Sequence, residues 1–92
     1  MPSTPQPAES ALTFPCRFPI KVMGLTQDGY AQAIVDIVRR HAPDFDAASV
    51  EMRPSSAGKY LSLTCTINAA SREQLDDLYR ELSSHPMVTM VL

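Results

Sequence analysis

No apolar run in this 92-residue chain approaches the roughly 20 residues that a membrane helix needs. No basic start leads into an apolar stretch in the manner of a secretion signal, so a cytoplasmic location and no membrane partner are expected. Excess charge of one sign is slight. The net charge of -2 and the pI near 5.5 remove the global basic field on which most nucleic-acid binders rely. Cysteine is scarce: Cys16 and Cys65 are too few and too far apart to build a metal site alone. Disorder throughout is excluded as well, because 45% of the residues are apolar and 20% are charged. A chain of this length buries roughly 64% of its unfolded surface, enough for one modest core.

Catalytic groupings are missing too. His41 and His85 fall near the ends of expected helices, where an imidazole favours the helix dipole without doing chemistry. Asp76 and Asp77 are adjacent in sequence, so on a helix they diverge and form no acid-base dyad. Gly58-Lys59 lacks the rest of a phosphate-binding loop and sits in an expected hairpin. These absences predict no enzyme, no catalytic residue, no metal and no cofactor.

What is present begins with prolines. Met1 to Thr13 carries Pro2, Pro5 and Pro7 among small polar residues and reads as a disordered tail, residues 1–13. Residues 14–92 are expected to form one domain. From Cys16 to Met23 the residues alternate, with Cys16, Phe18, Ile20 and Val22 on one face, and Gly24 is expected to end that strand. Tyr30, Ile34, Ile37, Val38 and His41 then recur at helical spacing after a cap at Thr26 or Asp28, and Pro43 stops the helix near Ala42.

A polar loop over Asp44 to Ser49 leads to a short strand from Val50 to Pro54 and a hairpin loop from Ser55 to Lys59, where Gly58 supplies a positive φ. Leu61, Leu63, Cys65, Ile67 and Ala69 alternate with Tyr60, Ser62, Thr64, Thr66 and Asn68, which is a strand with one dry face. Ser71 and Gln74 match a capping box ahead of the stripe Leu75, Leu78, Tyr79 and Leu82, and Val88 to Leu92 is short and β-prone.

The order strand, helix, strand, strand, helix, strand predicts an α+β fold. Two β-α-β halves interleave as a ferredoxin-like βαββαβ sandwich, a four-stranded antiparallel sheet with two helices on one face. The first and third strands are central, and Pro54 suits an edge strand. Cys16 and Cys65 then fall on the dry face of the central strands as reduced core thiols.

Such a sandwich leaves one sheet face open. The alternation assigns to it Arg17, Lys21, Met23, Glu51, Arg53, Tyr60, Ser62, Thr64 and Thr66, with Thr89 from the last strand. An RNA-reading sheet needs stacking aromatics on its central strands, and Tyr60 at a strand end is the only one here, which counts against nucleic acid. The low apolar content of the face counts against a large obligate interface. Lys21, Arg53 and Lys59 cluster near the hairpin while most carboxylates fall elsewhere, which leaves room for a local anion site despite the negative total; ordinary solvation of surface charge is the alternative.

Lys21-Val22-Met23-Gly24, then Val38 to Pro43 (VRRHAP), then Arg53 to Tyr60 (RPSSAGKY), and the ending Val88 to Leu92 together resemble the YbeD-like family of small bacterial proteins of unknown function. The resemblance runs from Phe14 to the C-terminus. It implies a ferredoxin-like fold similar to the ACT regulatory domain and carries no activity, cofactor or catalytic residue; the proline-rich tail and the two cysteines depart from shorter family members.

Two functions are expected from different classes. One is a non-catalytic regulatory or adaptor domain acting by contact with a protein partner, or by self-association as a homo-oligomer, on the open sheet face or an edge strand, with Lys21, Arg53, Lys59, Tyr60, Ser62 and Thr64 as candidate binding residues. The other is a small-metabolite sensor resembling an ACT domain, in which Gly24, Asp28 and Gly29 line a ligand loop and the nearby cations meet an anionic group.

Overall fold

The computed structural model describes residues 13–92, so the expected tail, apart from Thr13, lies outside the described residues. Strand β1 (Cys16–Leu25) leads to helix α1 (Tyr30–His41), a 3-10 turn (Ala47–Ser49), strands β2 (Glu51–Pro54) and β3 (Tyr60–Ala69), helix α2 (Arg72–Ser84) and strand β4 (Val88–Val91). The sheet order is β2-β3-β1-β4, antiparallel throughout, with β1 and β3 central. This is the βαββαβ ferredoxin-like sandwich.

Alternation decides which face each strand residue joins. Ile20, Val22, Leu63, Cys65, Ile67 and Ala69 point under the helices, and all are at most 1% exposed. From above, α1 contributes Tyr30, Ile34, Val35, Ile37 and Val38, and α2 contributes Leu75, Leu78 and Leu82. Phe45, in the loop read as polar, is also buried and closes one end of this layer. The helices are tied to each other by His41, whose Nε2 lies 2.7 Å from Glu81 Oε1, and by an Arg40–Glu81 ion pair. Gln74 Nε2 donates to the His41 carbonyl at 2.7 Å.

Several local expectations change. β1 runs through Gly24 to Leu25, because Gly24 serves a close approach and ends nothing: a Cβ there would collide with the Met87 carbonyl oxygen and the Tyr30 ring. The α1 cap is neither Thr26 nor Asp28. Gly29 takes a φ of 82°, turns the chain itself and offers no side-chain cap. The α2 cap is the expected Ser71, accepting from Gln74 N at 3.1 Å, although the Gln74 side chain returns to Ala70 N instead of Ser71 N.

Cys16 pairs with Ala69 and Cys65 with Ile20, so four residues of strand, about 13 Å, separate the two positions. A disulfide spans Cα atoms up to roughly 7 Å apart, and both cysteines are free thiols.

On β4, Val88 pairs with Gly24 and Met90 with Met23, which leaves Thr89 as the extra residue of a bulge. A bulge reverses the alternation beyond it. Met90 therefore takes the open-face position beside Met23 that was assigned to Thr89, and Leu92, paired with Lys21 through two backbone hydrogen bonds of 3.1 and 2.8 Å, joins it on that face.

Candidate functional site

The sheet face away from the helices is laid out in rows by the strand register. One row reads Leu92, Lys21, Thr64 and Glu51 from β4 to β2; the next reads Met90, Met23, Ser62 and Arg53; Leu25 and Tyr60 stand side by side beyond it. Half of the face is apolar. Leu25 is 44% exposed, Met90 47% and Leu92 61%, with half-buried Met23 at their centre. The expected low apolar content is thus corrected on the β4 side, where the bulge turns Met90 and Leu92 outward.

The other half is concave. Lys21, Met23, Arg53, Pro54, Ser55, Tyr60 and Ser62 line a hollow of about 200 Å³. A larger extension of about 400 Å³ continues over Thr64 to Glu51 and Met52. Five of the six candidate binding residues are brought together in this way: Lys21, Arg53, Tyr60 and Ser62 in the hollow, and Thr64 on its extension. Lys59 stands outside, exposed, with its Nζ 5.6 Å from the centroid of the Tyr60 ring.

The hairpin holds the hollow's rim in place. Ser55 N donates to the Tyr60 carbonyl at 2.9 Å, Tyr60 N donates to Ser55 Oγ at 3.1 Å, and Gly58 takes a φ of 74° to close the turn. Pro54 and Ser55 belong to the lining although sequence alternation could not name them, since both lie where the strand ends and its period stops.

Charge on this face is unevenly committed. Arg17 donates to Asn68 Oδ1 at 3.3 Å, and Asn68 Nδ2 donates to Asp44 Oδ2 at 2.9 Å, so the far end is engaged with itself. Lys21 and Arg53 make no side-chain hydrogen bond or ion pair among the described residues. Across an exposed face such cations remain hydrated and available to an anionic group.

The loop residues have a different setting. Gly24 is buried against Tyr30, Gly29 forms the turn into α1, and Asp28 is exposed beside it; none of the three lines the hollow. Thr26 N donates to the Lys59 carbonyl at 2.8 Å, which fastens this turn to the hairpin. His41 is engaged with Glu81 between the helices, and His85 Nδ1 accepts from Met87 N at 3.1 Å at the end of α2. Among the described residues no three His, Cys, Asp or Glu side chains gather as a metal site, and no helix is long and apolar enough to cross a membrane.

The groups with displaced proton affinity all lie under or beside the helices. Burial, with a smaller contribution from Cys65, pushes the Tyr30 phenol up to about 12, and its hydroxyl donates to the Val22 carbonyl at 3.1 Å. Burial likewise pushes the Cys65 thiol up to about 11 and raises Tyr79. These shifts belong to core packing and keep the groups neutral.

Comparison with known proteins agrees with this architecture. A solution structure of a protein from H. pylori superposes with a TM-score of 0.72 at 16% identity, over 98% of each chain. The ACT domain from GTP pyrophosphokinase of Chlorobium tepidum superposes with a TM-score of 0.63 at 15% identity, over 83% of this chain and 84% of that one. At such identities the likeness is one of fold. In sequence, a UPF0250 protein of Nitrosomonas europaea is 57% identical over 91% of this chain and 97% of its own length. A UPF0250 protein of Janthinobacterium sp. is 59% identical over 94% of each chain. With residues 9–92 matching its model, the chain belongs to the family described as "Protein of unknown function (DUF493)", the small bacterial family that its motifs resemble.

Proposed function

We propose that this protein is a non-catalytic regulatory or adaptor domain that acts in the cytoplasm by docking a protein partner on its open sheet face. One observation carries the reading: an apolar strip of exposed Leu25, Met90 and Leu92 around half-buried Met23 lies directly beside two cations, Lys21 and Arg53, that have no partner among the described residues. Exposed apolar side chains grouped at a polar rim mark recognition surfaces. Complementarity asks for a partner segment with bulky apolar residues next to a carboxylate.

A second copy fits this face less well. A two-fold contact centred on the hollow sets Lys21 and Arg53 against their own copies, and like charges brought together oppose association. Self-association through the outer edges of β2 or β4 is the competing arrangement. A second reading, a small-metabolite sensor, is favoured by the concavity over Ser62 and would place its ligand there, since Gly24 is occupied with Tyr30.

Selection of binders from a random peptide library, followed by measurement of Kd for the enriched sequences, tests the main reading. Enriched peptides are expected to pair one acidic residue with bulky apolar neighbours, and to lose at least about tenfold in affinity against Met23→Ser/Met90→Ser. No enrichment, or binding indifferent to that double variant, contradicts it. Sedimentation over a concentration series is expected to show a monomer; a dimer that survives charge reversal at Arg53 supports the edge arrangement instead.

A further inference from the structure

The hollow over Ser62 has features that a flat docking face lacks. It is walled by Met23, Pro54 and the Tyr60 ring, and it is bounded by Lys21 on β1 and Arg53 on β2, which stand diagonally across β3. Its volume, about 200 Å³, falls below the roughly 300–1,000 Å³ of clefts that hold drug-sized ligands. A single side chain or a small organic acid fills the hollow itself, and the extension over Thr64 and Glu51 stays open beside it.

Charge narrows the choice further. Glu51 shares the Lys21 row, two strands away on the far side of Thr64, and lines only the extension of the hollow. Of the charged residues that line the hollow or its extension, Lys21, Arg53 and Glu51 leave one net positive charge, which one negative charge satisfies; Lys59, on the Tyr60 ring, lines neither. A second negative charge would be pressed toward the Glu51 carboxylate, where repulsion opposes it. Arg53 offers paired N–H donors, Lys21 a mobile ammonium and Ser62 a hydroxyl, a set suited to carboxylate oxygens. The apolar walls favour a short hydrocarbon stem over a fully hydrated ion.

We propose that this hollow is the specificity subsite of the docking face and receives one carboxylate on an apolar stem, an Asp or Glu side chain of the partner, with Glu51 excluding doubly charged groups. This rests on the docking reading and adds to it the chemistry of the recognised group. Lys21 and Arg53 hold the carboxylate, Met23 and Pro54 cover its stem, and Glu51 sets the limit of one charge.

The test follows backbone amide shifts of the full chain during NMR titration with a selected peptide carrying one Glu, with its Gln counterpart, with benzoate and with inorganic phosphate. Saturable shifts at Met23, Ser62 and Tyr60 are expected with the Glu peptide, with affinity about tenfold lower for the Gln peptide and for Arg53→Gln. Glu51→Gln is expected to bind the Glu peptide a few-fold tighter and, at about pH 8 where inorganic phosphate is mostly doubly charged, to admit phosphate, which the native chain is expected to exclude. Both substituted positions are exposed, so folding is preserved and is checked in the same spectra.

Equal binding of the Glu and Gln peptides, or no change in Arg53→Gln, overturns the inference. If Met23→Ser/Met90→Ser still abolishes binding in that case, the docking reading stands without the subsite. Benzoate saturating the same amides at lower concentration than the peptide overturns the partner side chain as the source in favour of a free acid.

Discussion

The two faces of the sheet follow different rules although they are built from the same strands. Under the helices, β1 and β3 present Ile20, Val22, Leu63, Cys65 and Ile67, all essentially sealed, and even the phenol of Tyr30 is buried with its hydrogen bond made. On the reverse, the same two strands carry Lys21, Met23, Ser62 and Thr64, and the edge strands add Arg53 and Met90. The inner face is determined by volume and dryness, so nearly any change there is paid in stability. The outer face has freedom to be chosen for recognition.

That contrast breaks most visibly by truncation. Leu63→Ala is expected to cost about 2–5 kcal/mol in denaturant unfolding, because a sealed cavity opens beneath the helices. Its neighbour on the opposite face, Thr64→Ala, is expected to change stability by no more than about 1 kcal/mol. Similar losses at the two positions would contradict the asymmetry.

Alkaline unfolding sharpens the same point. Tyr30 and Cys65 have folded-state pKa values of about 12 and 11, above their ordinary values of 10.0 and 9.0. Both are neutral when protonated, and the unfolded chain releases its protons first as pH rises. Stability is therefore full below about pH 9 and falls between about pH 9 and 12, with Tyr30 accounting for roughly 2–3 kcal/mol of the loss. In Tyr30→Phe the phenol's share of that slope is expected to vanish, read as unfolding free energy against pH.

Gly24→Ala comes next, at about 1–3 kcal/mol, because the added methyl meets the Met87 carbonyl and the Tyr30 ring where β4 begins. Glu81→Gln weakens an exposed to half-exposed pairing of the helices with Arg40 and His41 and is expected to cost about 0.2–1 kcal/mol, less at high salt.

The inner face was legible because it repeats. Period two in β1 and β3 and helical spacing in both helices name nearly all its members, and the same alternation placed Lys21, Arg53, Ser62 and Thr64 on the reverse. Legibility failed where one residue alters the count. The bulge at Thr89 has no composition signal, yet it alone turns Met90 and Leu92 outward and supplies half of the apolar strip. Gly24 looked like punctuation because a sequence shows a missing side chain but not the carbonyl of Met87 that fills its place. Polar neighbours mask Phe45 in its loop, and Thr26 and Asp28 have side chains able to cap α1 while Gly29 makes the turn by its own φ.

The central claim is that the reverse of the sheet recognises while its other side only folds. The most direct measurement pairs two quantities for Met23→Ser/Met90→Ser: the Kd for a selected acidic, apolar peptide and the unfolding free energy of the variant. At least about a tenfold loss of affinity is expected, with stability changed by no more than about 2 kcal/mol, since Met23 is half-buried and Met90 exposed. Unchanged affinity, or a loss that appears only because the variant unfolds, would contradict it.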